Sequence, residues 1–224
     1  MEYFKKMRDE IDVSRLLEEI DANDSLWLSN TSRQEKNKVQ ERTQSITLRG
    51  ADQRPDIKVW ENQESVNSPF FNQYPLLKNF LHQFASDMGG TLSRAKIVRL
   101  MPRHYVGVHT DKGSYYLIRD RYHLVLKSLA GSLLQSGNEF VTMREGELWW
   151  FDNKQHHSAL NASDEWRVHV IFDVLPSRFA ELAVNPVSLK SIVDSGILQA
   201  CMPDVPIRPA DLAAIEEMGV VEEH

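Results

Sequence analysis

Apolar positions recur along the chain with two different periods, and the places where the period changes mark its organisation. Between Tyr74 and Met88, Leu76, Leu77, Phe80, Leu81 and Phe84 return at three- and four-residue spacing, and Gly89-Gly90 follows, which predicts a helix with a defined stop. Leu16, Leu17 and Ile20 give Val13 to Ile20 a shorter amphipathic face. Ser45 to Leu48 and Ile57 to Trp60 alternate with period two and read as strands. From Arg94 to Val174 alternation dominates. Strands are predicted over Ala95–Met101, Tyr105–His109, Tyr122–Ser128, Glu139–Met143, Glu147–Phe151, His156–Leu160 and Trp166–Val174. Turn signals such as Met101-Pro102, Asp111-Lys112-Gly113-Ser114, Ser136-Gly137-Asn138 and Glu145-Gly146 separate them. Past Pro176 the pattern becomes helical over Arg178–Val184, Ser188–Gln199 and Ala210–Met218, while the polar stretch Asn23–Arg42 reads as an extended connection. Short strands at this spacing predict a sandwich or barrel, not a parallel α/β sheet. The organisation expected is one compact domain: an N-terminal extension over 1–90, a β core over 91–176 and a helical segment over 177–224.

Composition narrows the class. A chain of 224 residues with 42% hydrophobic content can bury one substantial core. Twenty-six basic against 32 acidic residues, a net charge of −6, argue against nucleic acid as a partner. The single cysteine, Cys201, excludes an intramolecular disulfide framework and a cysteine-only zinc site. Met1 to Asp12 mixes both signs of charge with no apolar run, so a signal peptide is not expected. No stretch approaches the roughly 18 apolar residues of a membrane span. A cytoplasmic location follows as the expectation, one in which the Asn-x-Ser/Thr matches at Asn23, Asn30 and Asn161 carry no meaning. Arg49, Arg99, Arg103 and Arg119 flank the β region and read as mostly solvated.

The chemistry concentrates within the strands. His109 and Asp111, two residues apart at a strand end, face the same side and can grip one ion together. A third ligand must come from a distant strand, and His156-His157 offers two candidates. Two imidazoles and one carboxylate on one face of an octahedron leave three open positions, the arrangement suited to Fe(II) with a bidentate co-substrate and dioxygen. The plainer reading is a strand-end histidine bonded to its neighbouring acid. Arg167 alternates with His169 and Ile171 and so points inward on its strand. A buried guanidinium needs a carboxylate, supplied either by the far end of 2-oxoglutarate or by a protein acid such as Asp173 or Glu147. Trp149 and Phe151 fall on one face of their strand and Trp150 on the other, which reads as barrel core.

The series His109-Thr110-Asp111, Arg121-Tyr122-His123, Gly146-Glu147-Leu148-Trp149-Trp150-Phe151-Asp152, His157-Ser158 and Arg167-Val168-His169 resembles the aspartyl/asparaginyl β-hydroxylase family, which includes bacterial proline hydroxylases. The resemblance implies a mainly β fold, a double-stranded β-helix (jelly-roll or cupin-like) core with flanking N- and C-terminal helices. It also implies an Fe(II)- and 2-oxoglutarate-dependent dioxygenase consuming O2. The family's co-substrate arginine follows its second metal histidine by ten residues, which favours His157 over His156 as ligand and assigns Arg167 to 2-oxoglutarate. Arg121 and His123 match an Arg-x-His pair that binds the oxoacid end of the co-substrate. The animal member has glycine at the position of Asp111 and a shorter loop before Arg121. Here the acid is kept, and Gly113 to Tyr116 are expected to shape the substrate pocket.

The substrate implied is amino-acid-like: a free or carrier-bound amino acid, or an Asp, Asn or Pro residue of a peptide or protein. Oligomeric state has no signature in the sequence. Two competing classes are a cupin-type metal enzyme of another reaction, which has no use for Arg167, and a non-catalytic metal-binding barrel. A zinc hydrolase fits less well, for want of a positioned base or oxyanion donors.

Overall fold

A computed structural model describes residues 1–28, 42–52, 65–111 and 114–181. In chain order these form β1 (Phe4–Arg8), α1 (Ser14–Asp21), β2 (Thr43–Ala51), β3 (Ser65–Asn67), α2 (Pro75–Asp87), β4 (Gly90–Leu100) and β5 (His104–His109). A helical turn at Ser114–Leu117 precedes β6 (Asp120–Lys127), β7 (Ser132–Ser136), β8 (Glu139–Val141), β9 (Leu148–Phe151), β10 (His157–Asn161) and β11 (Arg167–Pro176). All strand pairs are antiparallel, in a seven-stranded sheet ordered β1-β9-β6-β11-β4-β2-β3 and a four-stranded sheet ordered β5-β10-β7-β8. The two sheets pack as a double-stranded β-helix, the expected mainly β fold. No helix among the described residues is long and apolar enough to cross a membrane.

The large sheet is buried on both sides, and β11 shows how. Val168, Val170, Phe172 and Val174 face α1 and α2, where they join Leu16, Ile20, Leu77, Leu81 and Phe84 in an apolar core. Phe84 sits edge-on to both Tyr122 (5.0 Å) and Phe172 (5.6 Å). The alternate residues Arg167, His169, Ile171 and Asp173 face the small sheet. The space between the sheets is filled at one end by Phe4, Val125, Leu134, Val141, Trp149 and Phe151. At the other end it is open.

Local chemistry sets the elements. Pro75 opens α2, and the Glu19 carboxylate of α1 accepts hydrogen bonds from the Leu76 and Leu77 amides (2.8 and 3.1 Å), capping one helix from the other. At its far end Gly89 takes φ +66° and Gly90 passes so close to β11 that a Cβ there would lie 2.5 Å from the Leu175 carbonyl oxygen.

Several expectations are revised. The charged N-terminus is a strand: Tyr3 and Glu2 donate their amides to Glu139, and Lys6 meets Glu147 at 2.6 Å. Lysines mark edge strands in general, so the charge that obscured β1 in the sequence is the charge that protects it. β7 is too short between its glycines to show a pattern, and Asp24–Leu28 of the polar stretch forms a 3-10 turn that buries Trp27. The flanking arginines are mostly not solvated. Arg99 lies between the rings of Trp27 and Trp166 (4.3 and 4.6 Å), and Arg119 is 3% exposed, with its Nε donating to the Ser93 hydroxyl. Arg49 donates to the Ser93 and Ser65 carbonyls, and only Arg103, paired with Asp164, is well exposed. Asn161 is fully buried, donating to the carbonyls of Leu100, Met101 and Glu165. The predicted strand at Ile57–Trp60, the helices at Ser188–Gln199 and Ala210–Met218, and Cys201 lie outside the described residues.

Candidate metal centre

His109 ends β5 and His157 begins β10, and the two are direct cross-strand partners, with ring centroids 4.3 Å apart. Asp111 follows two residues after His109, and the three side chains bring ligand atoms within 4.8 Å of one another. Each imidazole is oriented by the backbone. His109 Nδ1 lies 2.8 Å from the Gly107 carbonyl and His157 Nδ1 lies 2.9 Å from that of Gln155. An Nδ1–H donated to a carbonyl fixes the tautomer and leaves the Nε2 lone pair free to serve a metal ion. His157 Nε2 stands 3.9 Å from Asp111 Oδ2. His156, the other candidate, is exposed and lies outside this group.

The electrostatics keep His157 and Asp111 ready for a cation. Burial holds the His157 imidazole down to about 4, against the upward pull of Asp111, so it is neutral at pH 7. Burial alone would raise the Asp111 carboxyl, but Arg121, His157 and Asn153 hold it well below the usual carboxylate range. Asn153 grips Asp111 twice: its Nδ2 donates to Oδ2 (3.1 Å) and its carbonyl accepts the Asp111 amide (3.4 Å).

Arg121 is the second support. Its Nε and Nη2 lie on Asp173 (2.8 and 3.0 Å), directly opposite in the β6–β11 register, and its Nη1 donates to Asp111. Asp173 also accepts the Tyr115 hydroxyl (3.0 Å), and that ring is packed between the guanidinium groups of Arg94 and Arg119 (3.7 and 4.1 Å). Tyr115, expected at the pocket, is therefore a fully buried brace behind it.

These groups border a cavity of about 730 Å³, part of it open to solvent, lying between the sheets. Its wall includes His109, Asp111, Arg121, His123, His157 and Arg167, with Lys96 and Ser45 on the large sheet and Val106, Leu134 and Ala159 opposite. Arg167 is 7% exposed, and its Nε is buried with no hydrogen-bond partner among the described residues. Neither acid weighed as its mate reaches it, for Asp173 is taken by Arg121 and Glu147 by Lys6, Trp149 and the Arg144 amide. Burial pulls its guanidinium down to about 10. An unpaired buried cation beside an ion-sized set of two imidazoles and one carboxylate is what a metal-chelating dicarboxylate would satisfy. Donor set and guanidinium together fit Fe(II) and 2-oxoglutarate.

Sequence reasoning did not single out Asn153, Asp173 or Lys96 as parts of the site. Asp173 had a signal, an inward acid six residues after Arg167 on a fully buried strand. Asn153 had none beyond its turn.

Comparison with known proteins agrees with the geometry. The chain is 27% identical over 150 residues to an L-proline cis-4-hydroxylase of Rhizobium meliloti (strain 1021), which covers 63% of this chain and 51% of that protein. The chain thus spans about half the length of that relative. The solved structure of EvdMO1 superposes with a TM-score of 0.50 at 14% identity, covering 78% of this chain and 47% of the other, a likeness of fold. The profile of the aspartyl/asparaginyl beta-hydroxylase family matches residues 12–176, which takes in both helices, every strand but β1 and every residue of the cavity named above, and the chain belongs to that family.

Proposed function

We propose that this protein is a cytoplasmic Fe(II)- and 2-oxoglutarate-dependent dioxygenase that hydroxylates an amino-acid-like substrate. The single observation that carries this reading is the unpaired buried guanidinium of Arg167 in the same cavity as His109, Asp111 and His157. Family membership and the proline-hydroxylating relative support the class of reaction and the kind of substrate. When bound there, iron would supply, with dioxygen, the oxidative decarboxylation of 2-oxoglutarate to succinate and carbon dioxide coupled to hydroxylation of the substrate.

The residues have distinct tasks. His109, Asp111 and His157 would hold the metal. Arg167 receives the distal carboxylate of 2-oxoglutarate and so orients the other end towards the metal. His123 offers its cavity-side nitrogen to the same co-substrate. Arg121 differs from the role its Arg-x-His motif implies: with its bidentate edge on Asp173 and its remaining terminus on Asp111, it positions the metal carboxylate. The apolar wall of Val106, Leu134 and Ala159 keeps water from the reacting centre.

The test is succinate formation by protein purified anaerobically and given Fe(II), 2-oxoglutarate and oxygen, with and without candidate amino acids and peptides. Iron-dependent succinate that is stimulated by one candidate and lost in His157→Ala and Arg167→Ala is the expected result. A wild-type protein that neither turns over 2-oxoglutarate nor binds it with Mn(II) overturns the reading.

A further inference from the structure

Apart from His109 and His157, a second pair of histidines meets at the cavity wall. His123 on β6 lines the cavity, and His169 on β11 lies behind it, 1% exposed. They are diagonal neighbours across the β6–β11 register, with Nδ1 atoms 3.3 Å apart and rings nearly perpendicular at 88°. Phe151 packs edge-on against His123 at 4.9 Å, which holds the ring in place. His169 Nε2 is buried and has no hydrogen-bond partner among the described residues. Both imidazoles are kept neutral, first by burial and then by the nearby Arg167 charge.

Two neutral rings that meet through Nδ1 share one proton between those atoms, so their tautomers are coupled. In one arrangement His169 donates Nδ1–H to His123, whose own proton then sits on Nε2, the nitrogen left for the cavity. The atom without a partner, His169 Nε2, is then a bare lone pair. In the other arrangement His123 donates, presents a lone pair to the cavity, and forces an N–H onto the buried His169 Nε2. Orphaned buried N–H donors are rarer and costlier than orphaned acceptors, which selects the first arrangement.

We propose that His169 is a positioning residue that fixes His123 as an Nε2–H donor for the 2-oxoglutarate held by Arg167. This rests on the oxygenase reading above. It makes recognition of the co-substrate depend on a side chain that never touches it. A neutral donor beside the Arg167 cation favours a ligand that offers acceptors at both places, as a dicarboxylic oxoacid does, over one carrying a hydroxyl or ammonium donor at the same position.

The test has two independent readouts on the full chain. In metal-free protein labelled with 15N-histidine, two-bond proton–nitrogen correlations report which nitrogen of His123 carries the proton. Nε2–H is expected in wild type and in His169→Asn, whose amide can replace the Nδ1 donor, and loss of that preference is expected in His169→Leu. Second, His169→Leu should raise the KM for 2-oxoglutarate about tenfold or more with little change in kcat, and weaken its binding in the presence of Mn(II) in parallel. His169→Asn should restore most of both. An Nδ1–H tautomer at His123 in wild type overturns this inference alone. So does His169→Leu that is folded yet binds 2-oxoglutarate as wild type does. A wild-type protein with the Nε2–H tautomer that binds no 2-oxoglutarate overturns the oxygenase reading, and with it the ligand assigned to His123.

Discussion

The two faces of the large sheet are both largely buried along β11 and are chemically opposite. On β11, the side turned to the helices carries Val168, Val170, Phe172 and Val174, while the side turned to the small sheet carries Arg167, His169 and Asp173 with Ile171. The apolar face gains from burial, whereas each charged or imidazole group on the other face loses hydration that its partners only partly replace. One strand thus holds a stabilising surface and a working surface back to back. Work on the inner face is possible because the outer face and its helices stabilise the sheet from behind.

Substitutions on the two faces should therefore fail differently, and the largest loss is expected outside the site. Phe84→Ala removes the ring that touches both Tyr122 and Phe172, and should cost about 3–5 kcal/mol in urea unfolding. The fraction that remains folded should bind Mn(II) with wild-type affinity. Weakened metal binding in that fraction would mean that the two faces are not separable.

Acid should act mainly on the inner face. His157 sits at about 4 in the folded chain against an ordinary 6.5, and His123 and His169 are shifted the same way. A folded-state value below the unfolded one means that the unfolded chain takes up protons first. Stability is accordingly intact above pH 6.5 and lost as pH falls towards 4. His157 alone accounts for about 3 kcal/mol at roughly 1.4 kcal/mol per pH unit. Phe84→Ala should lower the whole stability–pH curve of the metal-free protein without changing its slope in that window.

Arg167→Leu should do the reverse of Phe84→Ala. Removing a buried cation with no hydrogen-bond partner among the described residues should leave ligand-free stability unchanged or raised by up to about 2 kcal/mol, while binding of 2-oxoglutarate with Mn(II) disappears. A loss of several kcal/mol on unfolding would reveal a carboxylate partner within the protein. The smallest effect belongs to the exposed His156: His156→Ala should change stability by less than about 0.5 kcal/mol and leave Mn(II) affinity alone.

The sequence made the outer face legible and the inner face only in outline. Periodicity located α2 and most of the core strands because apolar side chains against helices obey one rule over many residues. The separation of Trp149 and Phe151 from Trp150 also holds, the first two packing between the sheets and the third against the helix-side core. The grouping of His109, Asp111 and His157 was readable because two of its members are neighbours and the third has a fixed spacing to Arg167. Pairings across strands were not readable. Whether Asp173 meets Arg167 or Arg121 depends on the β6–β11 register, and whether Asn153 supports Asp111 depends on a turn meeting a distant strand end. Tyr115 was misplaced for the same reason: nothing local says that a loop aromatic will be clamped between two guanidinium groups.

The hydrogen bonds from His109 to Gly107 and from His157 to Gln155 have one more consequence. Because main-chain carbonyls set the two metal-facing nitrogens, almost no side-chain replacement nearby can unset them. The lining residues Val98, Val106 and Ala159, outside the buried core that holds Leu134, are then free to drift, or to be redesigned, towards new substrates while the two imidazoles keep their orientation. A pocket built this way is a socket with an interchangeable sleeve, and a library confined to those three positions would explore substrate range at little risk to the candidate ligands.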